Sequence, residues 1–228
     1  MGVSPLPKKR ICLDGKAMVE FLFNGLEEVE KTIGYIFKNK LLLIQAMTHS
    51  SYKNNCLTES YNEQEWIGDR VLGFEMAKFV SLNCQDTVDA KSATFATLTS
   101  NEFWAVLTVR HGIHKHIKLC DNNLTAKIDA FAEQQTRNGH QHMHKFFEIV
   151  ESVDDPELLF ATFTEPPKEL ADVWEALAGA IFQDSGFSND ITWAVIAPLL
   201  VPDGKISYWP KNPVQTIHRK YGKALQFA

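Results

Sequence analysis

The stretch VWEALAGAIF, Val173 to Phe182, carries a single polar side chain, Glu175. A helix that is apolar on every side has no face to offer water, so it must run through the centre of the fold. A carboxylate is costly to bring into such a place unless something compensates it. Asp172 lies three residues before Glu175 and Gly179 four after it, so all three share one stripe.

A second helix repeats the device. Within TESYNEQEWIGDRVLGFEMAKF, Thr58 to Phe79, the residues from Trp66 onward are mostly apolar, while Glu65, Gly68, Asp69 and Leu72 fall on one stripe. A glycine inside a helix costs roughly 1 kcal/mol against alanine, and the usual return is close approach of another backbone. The spacing therefore predicts that the two helices cross near Gly68 and Gly179 and bring four acids together. Acid pairs at this spacing are common on solvated faces, and either pair alone would carry little. Two pairs on strongly apolar helices, each with a stripe glycine, point instead to a divalent cation that relieves their repulsion. Oxygen-only ligands select a hard ion, Mg²⁺ or Mn²⁺. Paired ions in such a site serve in-line phosphoryl displacement.

The rest of the chain reads as helical, with no convincing strand alternation. Leu26, Val29, Ile33 and Ile36 mark an amphipathic helix, and NKLLLIQAM a short apolar one that runs into a polar corner at Thr48 to Ser51. DAKSATFATLTSNEFWAVLTVRHG reads as one long helix stopped by Gly112, IHKHIKLCDN as a connector, and Ala126 to Glu133 as a further helix. The polar, then acidic segment at about 136–168 is expected to be an insertion or long loop, with Pro166-Pro167 opening the central helix and Gly186 closing it. A last helix is expected from about Asn189 to Ala197, stopped by Pro198. The domain is thus placed at 21–204, between an N-terminal tail (1–20) and a C-terminal extension (205–228) with five basic residues, Lys205, Lys211, Arg219, Lys220 and Lys223.

Hydrophobic residues make up 45% of the 228-residue chain, enough for a substantial core, and no apolar run approaches the ~18 residues a membrane span requires. Four cysteines without a CxxC, and a start without an apolar leader, predict an intracellular protein, cytoplasmic or nuclear, with free thiols. The net charge of −5 is unusual for a freestanding nucleic-acid binder, but acids gathered at a cation site lower the total without repelling a polyanion. His140, His142 and His144 lack the cysteines and regular element of a zinc site, and His49 is expected to be a structural corner residue. Trp104, Trp174 and Trp193 are expected in the core.

Three motifs carry a family resemblance. YNEQEWIGDRVLG resembles the ribonuclease III signature, ELADVWEALAGAIFQDSG the second acidic helix of that family, and LLLIQAMTHSSY its short helix ending in Thr-His-x-Ser-Tyr. The resemblance covers about Glu27 to Pro202. It is greatest to the second, C-terminal ribonuclease III domain of the Dicer group, which GAIFQDSGFSNDITWAVIAPLLVP, the tail NPVQTIHRKYGKALQF and the acidic insertion resemble.

The resemblance implies an all-α endonuclease fold that pairs with a second ribonuclease III domain, as homodimer or heterodimer. Each cleft of the pair cuts one strand of double-stranded RNA and leaves a 5′-phosphate and a 3′-hydroxyl on a short overhang. By position, Glu65 and Asp172 match metal ligands. Glu175 matches the acid that binds metal and is essential for cleavage, and Asp69 the remaining catalytic carboxylate of the metal-binding set. The implied cofactor is Mg²⁺, with Mn²⁺ as substitute.

Gln64 stands where the family has Leu, Arg70 where it has a small residue, and Phe95 where the Dicer group has Arg. The signature region packs on the partner domain in this family, so Gln64 and Arg70 are expected to bear on which partner it faces. No double-stranded-RNA-binding domain is read within these residues after the tail, so RNA affinity is expected either from a larger chain of which this is a part or from a separate protein. The alternatives are a non-catalytic RNA-binding or scaffold protein on the same fold, which four intact acids disfavour, and an unrelated helical metallohydrolase, which would set His beside these acids.

Overall fold

A computed structural model describes residues 15–84, 87–137, 139–140 and 165–200, and within them the fold is all-helical. In chain order the α-helices are α1 (Gly15–Phe23), α2 (Glu27–Ile33), α3 (Lys40–Ala46), α4 (Asn62–Asn83), α5 (Val88–Leu98), α6 (Asn101–Arg110), α7 (Asn122–Arg137), α8 (Lys168–Asp184) and α9 (Asn189–Leu200), with a 3₁₀ turn at Ile113–His116. An isolated parallel bridge joins Thr48 to Lys118. No helix among the described residues is long and apolar enough to cross a membrane.

α8 is the axis of the fold. Every residue from Leu170 to Ile181 is buried, as its unbroken apolarity demands, and the helix packs on α4, α6, α3 and α9. α4 gives its inner face to the core through Gln64, Gly68, Val71, Leu72, Glu75, Met76 and Val80, at three- and four-residue steps. Trp104 of α6 stacks on Trp174 of α8 with ring centres 6.3 Å apart, and both are fully buried. Trp193 packs on the edge of that core rather than within it. It is only half-buried and packs against Phe79 at 5.9 Å. A smaller cluster joins Val106 and Val109 of α6 to Leu124, Ile128 and Phe131 of α7.

Several boundaries differ from the sequence reading, each for a local reason. α2 ends at Ile33 because Gly34 takes a left-handed conformation and returns its N–H to the Glu30 carbonyl, which leaves Ile36 outside the helix and 77% exposed. The expected long helix over 89–112 is two helices. Ser100 is extended and its hydroxyl accepts from Phe103 N, so it starts α6 as a cap. Thr97, Thr99 and Ser100 meanwhile donate their hydroxyls to nearby carbonyls and so compete for the backbone acceptors that end α5. α7 begins earlier than expected, where Asp121 Oδ1 accepts from Asn123 N and Leu124 N.

Pro198 lies inside α9 rather than stopping it, so the helix continues without the backbone bond that a Pro198 N–H would have made. α1 starts within the segment assigned to the tail, and its Leu22 is fully buried. Most of the proposed insertion (141–164), His142, His144, and everything after residue 200 with its basic side chains lie outside the described residues. Cys56, Cys84 and Cys120 are free thiols.

The Thr48–Ser51 corner is stitched to the 3₁₀ connector. His49 N donates to the Lys118 carbonyl at 2.9 Å and Lys118 N to the Met47 carbonyl at 2.7 Å. The His49 Nδ1 accepts from Ser51 N at 3.2 Å, the corner role expected of it. Below the corner, its ring lies 5.8 Å from that of Tyr61, which precedes α4.

Candidate active site

The site begins at a backbone crossing. A Cβ on Gly68 would fall 1.8 Å from the Glu175 carbonyl oxygen, and one on Gly179 would fall 2.1 Å from the Gln64 carbonyl oxygen. Each glycine therefore admits the other helix's main chain, at the place the stripes predicted. Close packing there fixes the height of every side chain on the two facing stripes.

Glu65, Asp172 and Glu175 each present a carboxylate oxygen within 4.8 Å of the others. Asp172 and Glu175 are both 7% exposed, while the Glu65 side chain is 28% exposed and closes the outer side. Burial raises Asp172 to about 6, and the Glu65 charge adds to the rise while Lys168 opposes it. Burial raises Glu175 further, to about 8, with the charges of Asp69, Asp172 and Glu65 pushing in the same direction. Two buried acids with raised pKa values and Glu65 beside them form an oxygen-only donor set suited to a hard divalent cation, and the structure fits such an ion by the chemistry of its ligands.

Two residues at the cluster escaped the sequence reading. Lys168 Nζ reaches Glu65 Oε1 at 3.2 Å and makes a closer bond with Asp172 Oδ1. Burial works against its charge, but the bonds and charges of Asp172 and Glu65 outweigh it and raise its pKa. Tyr61 is 3% exposed, and burial followed by the charges of Asp172, Glu169 and Glu65 drives its phenol far upward, so it stays neutral beside the cluster. Both were findable: Lys168 is one turn before Asp172 and Tyr61 one turn before Glu65, so each extends a stripe already drawn.

Asp69 is the acid the structure leaves out of the close group. Its side chain is 55% exposed and pairs with Arg70 at 2.8 Å, so three of the four expected carboxylates converge while the fourth flanks them. Gln64 also departs from expectation. It is fully buried and turned inward, where its Nε2 donates to the Leu42 carbonyl at 3.0 Å and to Gln183 Oε1 at 3.3 Å, so its side chain does not face a partner domain. Arg70 does stand on the outer face, 4.9 Å from the centre of the exposed Trp66 ring. Phe95 is half-buried and packs against the main core, which accounts for an apolar residue at that position.

The family model for the Ribonuclease III domain matches residues 63–186, which hold all four acids and both glycines. Endoribonuclease Dcr-1 of Drosophila melanogaster is 35% identical over 216 residues, 91% of this chain and 9% of that protein. Endoribonuclease Dicer of Gallus gallus is 34% identical over 223 residues, 94% of this chain and 11% of that protein. The chain thus spans about a tenth of the length of the curated relatives it matches. The nuclease domain of ribonuclease III from Campylobacter jejuni superposes with a TM-score of 0.52 at 20% identity, covering 79% of this chain and 99% of that one, a likeness of fold. With the signature helix, the acidic stripes and the fold in agreement, this chain belongs to the ribonuclease III family and is a domain of the Dicer type.

Proposed function

We propose that this chain is an endoribonuclease domain that hydrolyses phosphodiester bonds of double-stranded RNA and leaves 5′-phosphate and 3′-hydroxyl ends, in Dicer-like RNA processing. The carrying observation is the convergence of Glu65, Asp172 and Glu175 at a backbone-tight helix crossing in a member of this family. Glu65, Asp172 and Glu175 would hold Mg²⁺, or Mn²⁺ in its place, with Asp69 as the fourth carboxylate of the set. When bound, the divalent ion supplies charge stabilisation for attack on phosphorus and departure of the 3′ oxygen.

The chain's own groups prepare that site. The crossing holds Asp172 and Glu175 in a partly dehydrated wall where a cation is worth more than in water. The raised Asp172 and Glu175 carboxyls give up their protons as a cation arrives, so binding weakens with acid. Lys168 orients Glu65 and Asp172 by bonding both. Tyr61 keeps its proton and lines the cluster without adding charge.

The domain extends over 21–204 in this reading, with the insertion at about 136–168 and the extension at 205–228. It works as a pair with a second ribonuclease III domain, a second copy or a different chain, and a separate double-stranded-RNA-binding protein is the candidate source of further RNA affinity. The test is cleavage of a long RNA duplex with Mg²⁺ and with EDTA, alongside a mass measurement in solution. Glu175→Gln is expected to reduce cleavage by at least a hundredfold with its helical circular dichroism intact. Cleavage undiminished in Glu175→Gln, or in EDTA, would refute the assignment.

A further inference from the structure

The fourth carboxylate of the stripe is held apart from the other three, and Arg70 holds it. Arg70 Nη1 donates to Asp69 Oδ2 at 2.8 Å and to the Trp66 carbonyl at 2.9 Å, while the guanidinium lies over the Trp66 ring at 4.9 Å. The carbonyl and the ring anchor the guanidinium on the outer face of α4, and the acid follows it. Asp69 still sits one turn from Glu65 on the same stripe, where carboxylates four residues apart are neighbours. Its charge is the strongest electrostatic influence on Glu175, so the cluster already feels it across the gap. Rotation of one short side chain separates the two placements.

We propose that Arg70 is a positioning residue that latches Asp69 outside the cation site, so that the fourth carboxylate joins only when the Arg70–Asp69 pair opens. This rests on the reading of Glu65, Asp172 and Glu175 as cation ligands. The latch is weak by construction. Both side chains are more than half exposed, and an exposed pair of this kind shifts an equilibrium by a factor of about two to five. Such a latch adjusts the site without disabling it.

Mn²⁺ alone is the probe, with free ion read by electron paramagnetic resonance during titration of the intact 228-residue chain. Wild type is compared with Arg70→Ala, Arg70→Gln, Asp69→Asn, Arg70→Ala/Asp69→Asn and Asp172→Asn/Glu175→Gln. The glutamine variant keeps an uncharged stem over Trp66, so loss of packing is separated from loss of the latch. Both Arg70 variants are expected to bind Mn²⁺ ~2- to 5-fold more tightly than wild type. The gain should vanish when Asp69 is already Asn, because a residue acting through another shows its effect as coupling in the double-mutant cycle. An unchanged affinity in both Arg70 variants overturns the latch and leaves the cation site standing. An equal gain with and without Asp69 also overturns it, by showing that Arg70 acts through its charge alone. Absence of Mn²⁺ binding in wild type, or binding that survives Asp172→Asn/Glu175→Gln, overturns the cation site and the latch together.

Discussion

The two faces of α4 use the same kinds of residue for opposite ends. Both carry a glycine. Gly68, on the inner face, is where a Cβ would strike the Glu175 carbonyl at 1.8 Å, whereas a Cβ on Gly73 would meet nothing within 4 Å. Both hold polar groups. Inside, Gln64 is fully buried and bonded to the Leu42 carbonyl, while outside, Arg70 and Asp69 pair in solvent. Trp66 and Phe74, at 61% and 57% exposure, make the outer face apolar as well, so hydrophobicity does not separate the two sides. The difference lies in what crosses each face. The inner one meets another backbone, which fixes positions to fractions of an ångström, and the outer one meets water, which leaves side chains free to choose partners.

The largest expected effect breaks the inner face. In Gly68→Ala or Gly179→Ala the added methyl meets backbone, which cannot rotate aside, so α4 and α8 must separate and the packing around both is lost. A loss of more than about 4 kcal/mol, or failure to fold, is expected in chemical denaturation. A loss below about 1 kcal/mol would show that the crossing is looser than its geometry states.

The next effect concerns charge on that face. The Asp172 and Glu175 carboxyls have folded pKa values near 6 and 8, above their ordinary 3.8 and 4.5, so the folded protein binds more protons than the unfolded one between these limits. Without a cation, stability therefore falls as pH rises from about 4 through 8 and levels above that. Glu175→Gln should remove the upper part of the slope and raise stability at pH 9 in EDTA by something on the order of 2–4 kcal/mol. Denaturation curves at pH 5, 7 and 9 read this directly. A wild-type slope that persists in Glu175→Gln would assign it to another group.

How much of this was legible in the sequence divides along the same line. The central helix, both stripes and the glycine crossing follow from spacing, because a helix converts sequence interval into direction. Lys168 and Tyr61 were within reach of that argument and needed only one more turn of each stripe. The position of Asp69 was not, since spacing places its Cα beside the cluster but side-chain rotation, set by Arg70 and the Trp66 carbonyl, decides where its charge goes. The inward turn of Gln64 was hidden for a related reason. A glutamine in a signature helix reads as surface until the Leu42 carbonyl, from a helix twenty-two residues earlier, is found opposite it. The split at Ser100 shows a local competitor winning. A hydroxyl that caps the next helix overrode a pattern that continued across it.

The smallest expected effect tests the outer face. Gly73 is in the interior of α4 with ordinary helical backbone and room for a methyl, so Gly73→Ala removes the entropy cost of glycine and is expected to stabilise the isolated chain by about 0.5–1 kcal/mol. The same substitution also sharpens the proposed pairing with a second domain. Gly73 lies beside exposed Phe74, seven residues from exposed Trp66 and so two turns along the same face. If a partner packs there closely, the methyl that fits in water will obstruct it, and sedimentation should show weaker association even as unfolding of the dilute monomer shifts upward. Stabilisation without any change in association would leave this part of α4 outside the contact. Destabilisation of the dilute monomer would contradict the open space seen at Gly73 and with it the contrast between the two faces.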